Sequence, residues 1–326
     1  MTRARMVGLG RGVPRKVLTN VDLEQMVDTT DQWITERTGI KERHIASDGE
    51  VTSDLAAAAG RMACENAGIK PEELDAIILG TVTPDMQMPA TAAFVQQKLG
   101  ASRCPAFDIS AACAGFTFGL GLADGLIQRG GYRRILVIGV ELLSRVLDWT
   151  DRNTCVLFGD AAGAAVLVPE EGDRGLLDVE LHTDGSYTRD LTIPGGGSVR
   201  PASHESVDEK QHVVHMNGRQ IFTQAVRNMS AASLSVLERC GYTADDVTTV
   251  FAHQANMRIV EGVSQRIKIP LDRFFINIQR YGNTSSASIP IAMSEAVEEG
   301  RVHEGDLLLL TALGAGVSWG SALVRW

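Results

Sequence analysis

A chain of 326 residues with 31 Lys and Arg against 40 Asp and Glu has a formal net charge of −9, which argues against a general nucleic-acid binder. Its 44% apolar content suits one large domain or two intimately packed ones, and no Gly/Ser-rich or Pro-rich linker divides it. The opening MTRARMVGLG lacks the long apolar core of a signal peptide and no apolar run reaches membrane-spanning length, so the expectation is a soluble, cytoplasmic protein.

Along the chain, apolar runs of strand length alternate with helical segments. TSDLAAAAGRMACENAG (52–68) has helical composition and closes on Gly, and DAIILGTV (75–82) then reads as a buried strand. ATAAFVQQKLG (90–100) is a second helix closing on Gly, followed by the strand CPAFDIS (104–110). AGFTFGLGLADGLIQRG (114–130) is a third, and RILVIGV (134–140) and AGAAVLV (162–168) are further strands. Such alternation indicates βαβ units around a largely parallel sheet, an α/β fold. The stretch from about 184 to 216 breaks the rhythm with Gly, Ser, Pro and charge, and is expected to be a long loop, either an active-site cover or surface disorder.

The second half repeats the first in its letters. AGIKPEELDAIILGT (67–81) resembles CGYTADDVTTVFAHQ (240–254), with a helix-ending Gly, an acidic turn and an apolar strand in each. GDAAGAAVLV (159–168) resembles GVSWGSALVR (316–325) in the same order. The expectation is two half-domains of similar topology, 1–172 and 173–326, with a site where they meet.

The five cysteines (Cys64, Cys104, Cys113, Cys155, Cys240) are odd in number and form no C-x-x-C pair, which argues against a disulfide framework or a zinc site. Reduced thiols fit better. His204, His212 and His215 lie close together, but without a patterned carboxylate they point to a solvated loop rather than a metal site.

Cys113, in DISAACAGF (108–116), follows a strand and opens a helix among small side chains. The unpaired N–H groups of a helix N-terminus stabilise a thiolate, so this position predicts a lowered thiol pKa. A buried structural cysteine is the competing reading. His253 ends an apolar strand in FAHQANMRI (251–259), and Asn283 sits in a small-residue turn in RYGNTSSASIP (280–290). Taken singly they read as an interior histidine and a helix N-cap. At the strand ends of one α/β fold, the three are a candidate nucleophile with two polar partners.

The segments LTNVDLEQMVDTTDQWITERTGIKERHIA, AACAGF, FGDAAGAAVL, HQANMRI, GNTSSASIP and LLLLTALGAGVSWGSALVRW, in that order, closely resemble the β-ketoacyl-acyl carrier protein synthase III family. These are the initiating condensing enzymes of dissociated fatty-acid synthesis, in the thiolase-like superfamily. The resemblance implies a duplicated five-layer α/β/α/β/α fold and a homodimer. It implies acyl-CoA and malonyl-acyl carrier protein as substrates, with no resident cofactor or metal.

Residue by residue, the resemblance makes Cys113, His253 and Asn283 the catalytic set, with the backbone N–H groups of Cys113 and Ala315 as a second oxyanion site. Thr29, Trp33, Arg37 and Arg152 fall on the adenine end of the CoA site. Met216, Gly218, Phe222 and Asn256 fall on the pantetheine tunnel. Carrier-protein docking maps to Gln254, Ala255, Asn256, Met257, Arg258, Arg266 and Lys268, with Arg258 foremost.

Met88 maps to the position from which one subunit of related dimers reaches towards the other's acyl pocket. Asn153 stands where a glycine is common in the family. A priming or acyl-transfer enzyme of polyketide or quinolone synthesis is the alternative within the superfamily. A degradative thiolase is disfavoured, since no cysteine follows Cys240. A non-catalytic CoA-binding scaffold is the alternative outside enzymes, and retention of all three polar groups argues against it.

Overall fold

The computed structural model describes residues 2–101 and 103–326. The first half contains β1 (Thr2–Gly12), β2 (Lys16–Thr19), α1 (Asn20–Glu24), α2 (Asp31–Thr38), β3 (Glu42–Ile45) and α3 (Thr52–Ala67). It continues through β4 (Ala76–Gly80), α4 (Thr91–Leu99), β5 (Ala106–Ile109), α5 (Gly115–Arg129), β6 (Ile135–Glu141) and β7 (Ala161–Glu171). The second half contains β8 (Gly175–Thr183), β9 (Leu191–Thr192), α6 (His204–Asp208), β10 (His215–Met216), α7 (Gly218–Cys240) and β11 (Thr249–Ala252). It ends with α8 (Met257–Ile267), α9 (Ile278–Tyr281), α10 (Ser288–Glu298), β12 (Leu307–Gly314) and β13 (Ser318–Arg325).

Two sheets carry the molecule, in the orders β1-β7-β6-β4-β5 and β8-β13-β12-β11. The second continues past β11 through a parallel bridge from Val250 to Phe274. Strand for strand the two orders agree. The letter-level repeat has a structural counterpart. Gly68 (φ 65°) caps α3 and Gly241 (φ 74°) caps α7 in the left-handed conformation. A short 3₁₀ turn and then β4 or β11 follows each cap.

The central strands are apolar on both faces because each face is covered. Ala76 and Ile78 of β4 point to the central core, while Ile77 and Leu79 pack towards α3 and α4. Likewise Leu308 and Leu310 of β12 face the centre, and Leu307 and Leu309 face α7 and α8. Helices α5 and α10 fill the space between the sheets, and α5 touches strands of both. The layers are therefore α3/α4, first sheet, α5/α10, second sheet, α7/α8, the five-layer duplicated arrangement expected from the resemblance.

The stretch 184–216, expected to be a long loop, carries short regular elements. The short strands β9 and β10 pair antiparallel, and Ser203 caps α6 by accepting from the Ser206 N–H. Polar composition hid this structure because two-residue strands have no period to read. His212 and His215 are tied locally, to the Ser206 hydroxyl and the Lys210 carbonyl. Among the described residues no group of His, Cys, Asp and Glu is placed to hold a metal, and no helix is long and apolar enough to cross a membrane.

Candidate active site

The functional candidates gather where the C-terminal ends of strands from both sheets meet. Past β5 the chain makes a 3₁₀ turn, Ala112–Ala114, before α5 begins. Ala112 takes φ 45°, a left-handed conformation that an alanine rarely adopts, and this presents Cys113 at the head of the helix. From the other sheet, β11 ends at Ala252 and His253 continues its line, its N–H donating to the Thr311 carbonyl at 2.8 Å. Asn283 is held by its backbone, donating to the Leu157 carbonyl at 2.8 Å and accepting from Gly159 at 3.0 Å.

Cys113, His253 and Asn283 line one cavity of about 130 Å³, whose other walls include Phe158, Met216, Gly218, Phe222, Asn256 and Gly314. A wider space of about 640 Å³ shares Leu157, Gly218, Phe222 and Asn256 with it and opens to the surface past Trp33, Arg37, Asn153, Arg219 and Arg258. Together they form a tunnel from a cationic mouth to the sulfur. Behind Cys113 lies a third cavity of about 220 Å³, lined by Val82, Ala112, Leu143, Phe158, Leu191, Ile193, Val214, Ser285 and Ala315.

The electrostatics correct one expectation. Cys113 is 8% exposed, and burial pushes its thiol up to about 12. The Ser285 hydroxyl and Cys113's own backbone N–H pull the other way, while the Glu141 carboxylate adds to the rise. Desolvation outweighs the helix end here, because the sulfur sits in the protein interior rather than at an exposed terminus.

Burial also lowers His253 to about 4, so its ring is neutral at physiological pH. Its Nδ1 lies 2.8 Å from the Ser288 hydroxyl, which leaves the Nε2 edge for the cavity. That hydroxyl also donates to the Ser285 carbonyl at 3.0 Å. A hydroxyl both donates and accepts, so Ser288 can serve either neutral tautomer of the ring. The side-chain oxygen of Asn283 accepts from the Ser285 N–H at 2.8 Å, which turns the amide nitrogen towards the cavity.

At the mouth, the Arg37 guanidinium carbon lies 4.7 Å from the Trp33 ring centre, and that of Arg152 lies 5.4 Å from it. Arg152 also donates to the Asp28 carbonyl at 2.7 Å. A base stacked between Trp33 and Arg152 requires roughly 7 Å, two van der Waals contacts, so the Arg152 side chain must swing outward. Beside them the Thr29 hydroxyl is buried with no partner among the described residues. Asn153 is exposed and tied to its own loop, its backbone N–H and its side-chain Nδ2 both donating to Asp151 Oδ1.

Two further placements, those of Gln254 and Ala255, differ from the expectations. Gln254 is 1% exposed and spans the interior, donating to the Phe275 carbonyl and accepting from the N–H groups of Asn277 and Ile278. It has no surface for a carrier protein, and its place in the docking set is withdrawn. Ala255 lines the cavity, and Asn256 caps α8 by accepting from the Arg258 N–H as well as lining the tunnel. Arg258, Arg266 and Lys268 are exposed, and Met257 is half-buried against Gly39. Met88 is 84% exposed and lines none of the three cavities described. The sequence reading missed Arg219 at the mouth, the apolar wall of the third cavity, and Glu141.

The chain matches the family model for 3-oxoacyl-[acyl-carrier-protein] synthase III over residues 107–185 and the C-terminal model of the same enzyme over 237–326. It is 50% identical to a β-ketoacyl-[acyl-carrier-protein] synthase III of Caldanaerobacter subterraneus subsp. tengcongensis, over 99% of this chain and 98% of that one. A crystal structure of 3-oxoacyl-[acyl-carrier-protein] synthase III from Aquifex aeolicus superposes with a TM-score of 0.92 at 45% identity, covering 99% of this chain and 100% of that one. The priming β-ketosynthase of the R1128 polyketide pathway is also similar, with a TM-score of 0.91 at 33% identity, covering 98% and 95%. With the fold duplicated, the candidate residues at one tunnel end and relatives matching over nearly the whole length, the chain belongs to the β-ketoacyl-[acyl-carrier-protein] synthase III family.

Proposed function

We propose that this protein catalyses the initiating condensation of fatty-acid synthesis, joining the acyl group of an acyl-CoA primer to malonyl-acyl carrier protein with loss of CO₂. The observation that carries the reading is the convergence of Cys113, His253 and Asn283 at the end of a tunnel with a cationic, Trp33-bearing mouth. Residues 1–172 and 173–326 act as two halves, the first supplying the nucleophile and the second its two polar partners.

In the first step the Cys113 sulfur attacks the primer thioester and the bond to the CoA sulfur breaks. The proton lost by Cys113 is balanced by the one that CoA carries away as a thiol. The backbone N–H groups of Cys113 and Ala315 receive the charge of the tetrahedral oxygen. Malonyl-acyl carrier protein then loses CO₂, and the electron pair of the broken C–C bond moves onto its thioester as an enolate. His253, with its proton on Nε2 and the single Ser288 proton turned from the Ser285 carbonyl to Nδ1, and the Asn283 amide donate to that oxygen. The carbon attacks the acyl-Cys113 carbonyl, and Cys113 leaves as a thiolate that takes one proton from solvent.

The acyl group occupies the apolar cavity behind Cys113. Thr29, Trp33, Arg37 and Arg152 hold the nucleotide end of CoA, and Met216, Gly218, Phe222 and Asn256 hold the pantetheine arm. Acyl carrier protein is acidic and docks on exposed Arg258, Arg266 and Lys268. In a homodimer, exposed Met88 reaches the partner's acyl cavity.

Intact-protein mass spectrometry after mixing with a panel of acyl-CoAs, then with malonyl-acyl carrier protein, tests the reading. The expected result is an adduct on Cys113 that is discharged as β-ketoacyl-acyl carrier protein with CO₂ release, and no adduct in Cys113→Ser. An adduct that malonyl-acyl carrier protein cannot discharge would favour a specialised priming transferase. No adduct in a folded protein with a free Cys113 thiol would refute catalysis.

A further inference from the structure

We propose that Glu141 is a positioning residue for the condensation step, acting through Ser285 on both Asn283 and His253; this rests on the roles given to those two residues above. Glu141 ends β6 and is fully buried, yet its partners are hydroxyls and a backbone N–H rather than a cation. Oε2 accepts from the Thr83 hydroxyl at 2.8 Å, the Val82 N–H at 3.0 Å and the Thr81 hydroxyl at 3.2 Å. Oε1 accepts from the Ser285 hydroxyl at 3.2 Å and is 3.5 Å from that of Ser286. An unpaired carboxylate in the interior is expensive, and an apolar side chain could fill the same space more cheaply. Its presence calls for a task.

The task is visible in what Ser285 does. Ser285 has φ 50°, a left-handed backbone that a serine rarely adopts, directly after Asn283 and Thr284. Its side chain is tied to Glu141, and its two backbone groups face the two polar partners of the site. The N–H fixes the Asn283 side-chain oxygen at 2.8 Å. The carbonyl, 3.0 Å from the Ser288 hydroxyl, competes with His253 Nδ1, 2.8 Å from it, for that hydroxyl's single proton, so the placing of Ser285 decides which ring nitrogen of His253 carries its hydrogen. One strained residue thus sets the direction of both enolate donors, and the carboxylate holds that residue against the Thr81–Thr83 turn. Burial pushes the Glu141 carboxyl up to about 7 against the pull of these hydroxyl and N–H donors, and its ionised form, in which both oxygens accept, makes the stronger charge-assisted bonds that suit a clamp on an unfavourable backbone conformation.

The test uses the full-length enzyme with Glu141→Gln, Ser285→Ala and the double variant, all checked for folding by circular dichroism. Two rates are measured, adduct formation on Cys113 from acyl-CoA and CO₂ release from malonyl-acyl carrier protein. CO₂ release should fall about tenfold or more in each single variant; adduct formation should stay within about threefold of wild type in Glu141→Gln, whereas Ser285→Ala also loses the hydroxyl beside the Cys113 sulfur and is judged on CO₂ release alone. The double variant should be no slower than the slower single one, since both changes cut the same link.

Losses that multiply in the double variant would overturn the proposal. So would adduct formation falling in step with CO₂ release in Glu141→Gln, which would place Glu141's action on the thiol. Should Glu141→Gln fail to fold, Ser285→Ala decides alone, and unchanged CO₂ release in it overturns the proposal. A wild-type enzyme that forms the adduct yet never releases CO₂ would instead refute the proposed function itself.

Discussion

A Cβ on Gly314 would stand 2.5 Å from the backbone nitrogen of Cys113 and 2.9 Å from the Ala111 carbonyl oxygen, so the end of β12 presses directly on the nucleophile's turn. Only a hydrogen side chain permits that approach. Gly314→Ala should therefore displace the Cys113 N–H and slow Cys113 acylation by about 10²-fold, the scale of losing one oxyanion donor. Adduct formation by mass spectrometry, with circular dichroism as the folding control, checks it; an alanine enzyme that acylates normally would remove that N–H from the mechanism.

His253 and Asn283 separate the two half-reactions. His253→Ala and Asn283→Ala should each lower condensation by about 10²–10³-fold while sparing acylation of Cys113. Since burial holds His253 at about 4, below its usual 6.5, the ring stays neutral as pH falls from 8 to 5. NMR of ¹⁵N-histidine-labelled protein should show His253 predominantly neutral over that whole range, with no titration midpoint inside it. Equal loss of both half-reactions would contradict the division of roles.

Trp33 and Arg37 stack on one another at the tunnel mouth, far from the chemistry. Trp33→Ala should raise KM for acyl-CoA by about tenfold with little change in kcat, the pattern of lost uniform binding. Steady-state kinetics with acyl-CoA as the varied substrate reads this directly, and a fall in kcat alone would place Trp33 in some other role.

Leu143 is buried in the wall of the cavity behind Cys113 and not in the entry tunnel. Leu143→Ala should shift primer preference towards chains longer by one or two carbons, with about 1–3 kcal/mol of discrimination per methylene. Truncation in a packed wall also destabilises the fold by about 2–5 kcal/mol, so melting temperature is measured alongside competition between acyl-CoAs of graded length. An unchanged preference would mean that the primer lies elsewhere.

Much of the fold was legible because the pattern is local. The segment DAIILGTV contains β4, and the helices closing on Gly68 and Gly100 end there because those glycines adopt φ 65° and 69°. The candidate triad was legible as three residues in separate small-residue or strand-end settings, and the structure brings them to one cavity. The acyl cavity was not legible. Val82, Leu143, Leu191 and Val214 come from four distant segments, and each is an ordinary apolar letter in its own neighbourhood. Gln254 entered the docking set through the resemblance of its whole segment, which does not say which side chains of that segment face outward; its amide joins three backbone groups inside the protein.

By itself the sequence determined the alternation of buried strands and capped helices, the duplication, and the residue types available for thioester chemistry, since these follow from side-chain period and turn chemistry within short windows. Tertiary structure alone decided the rest. It set the sign of the Cys113 shift, because desolvation depends on what packs around the sulfur rather than on its place in a helix. It also turned Glu141, a letter at the end of an apolar run, into a buried carboxylate joined to loops about 60 and 145 positions away in the chain, because hydrogen bonds form between groups that the fold makes adjacent.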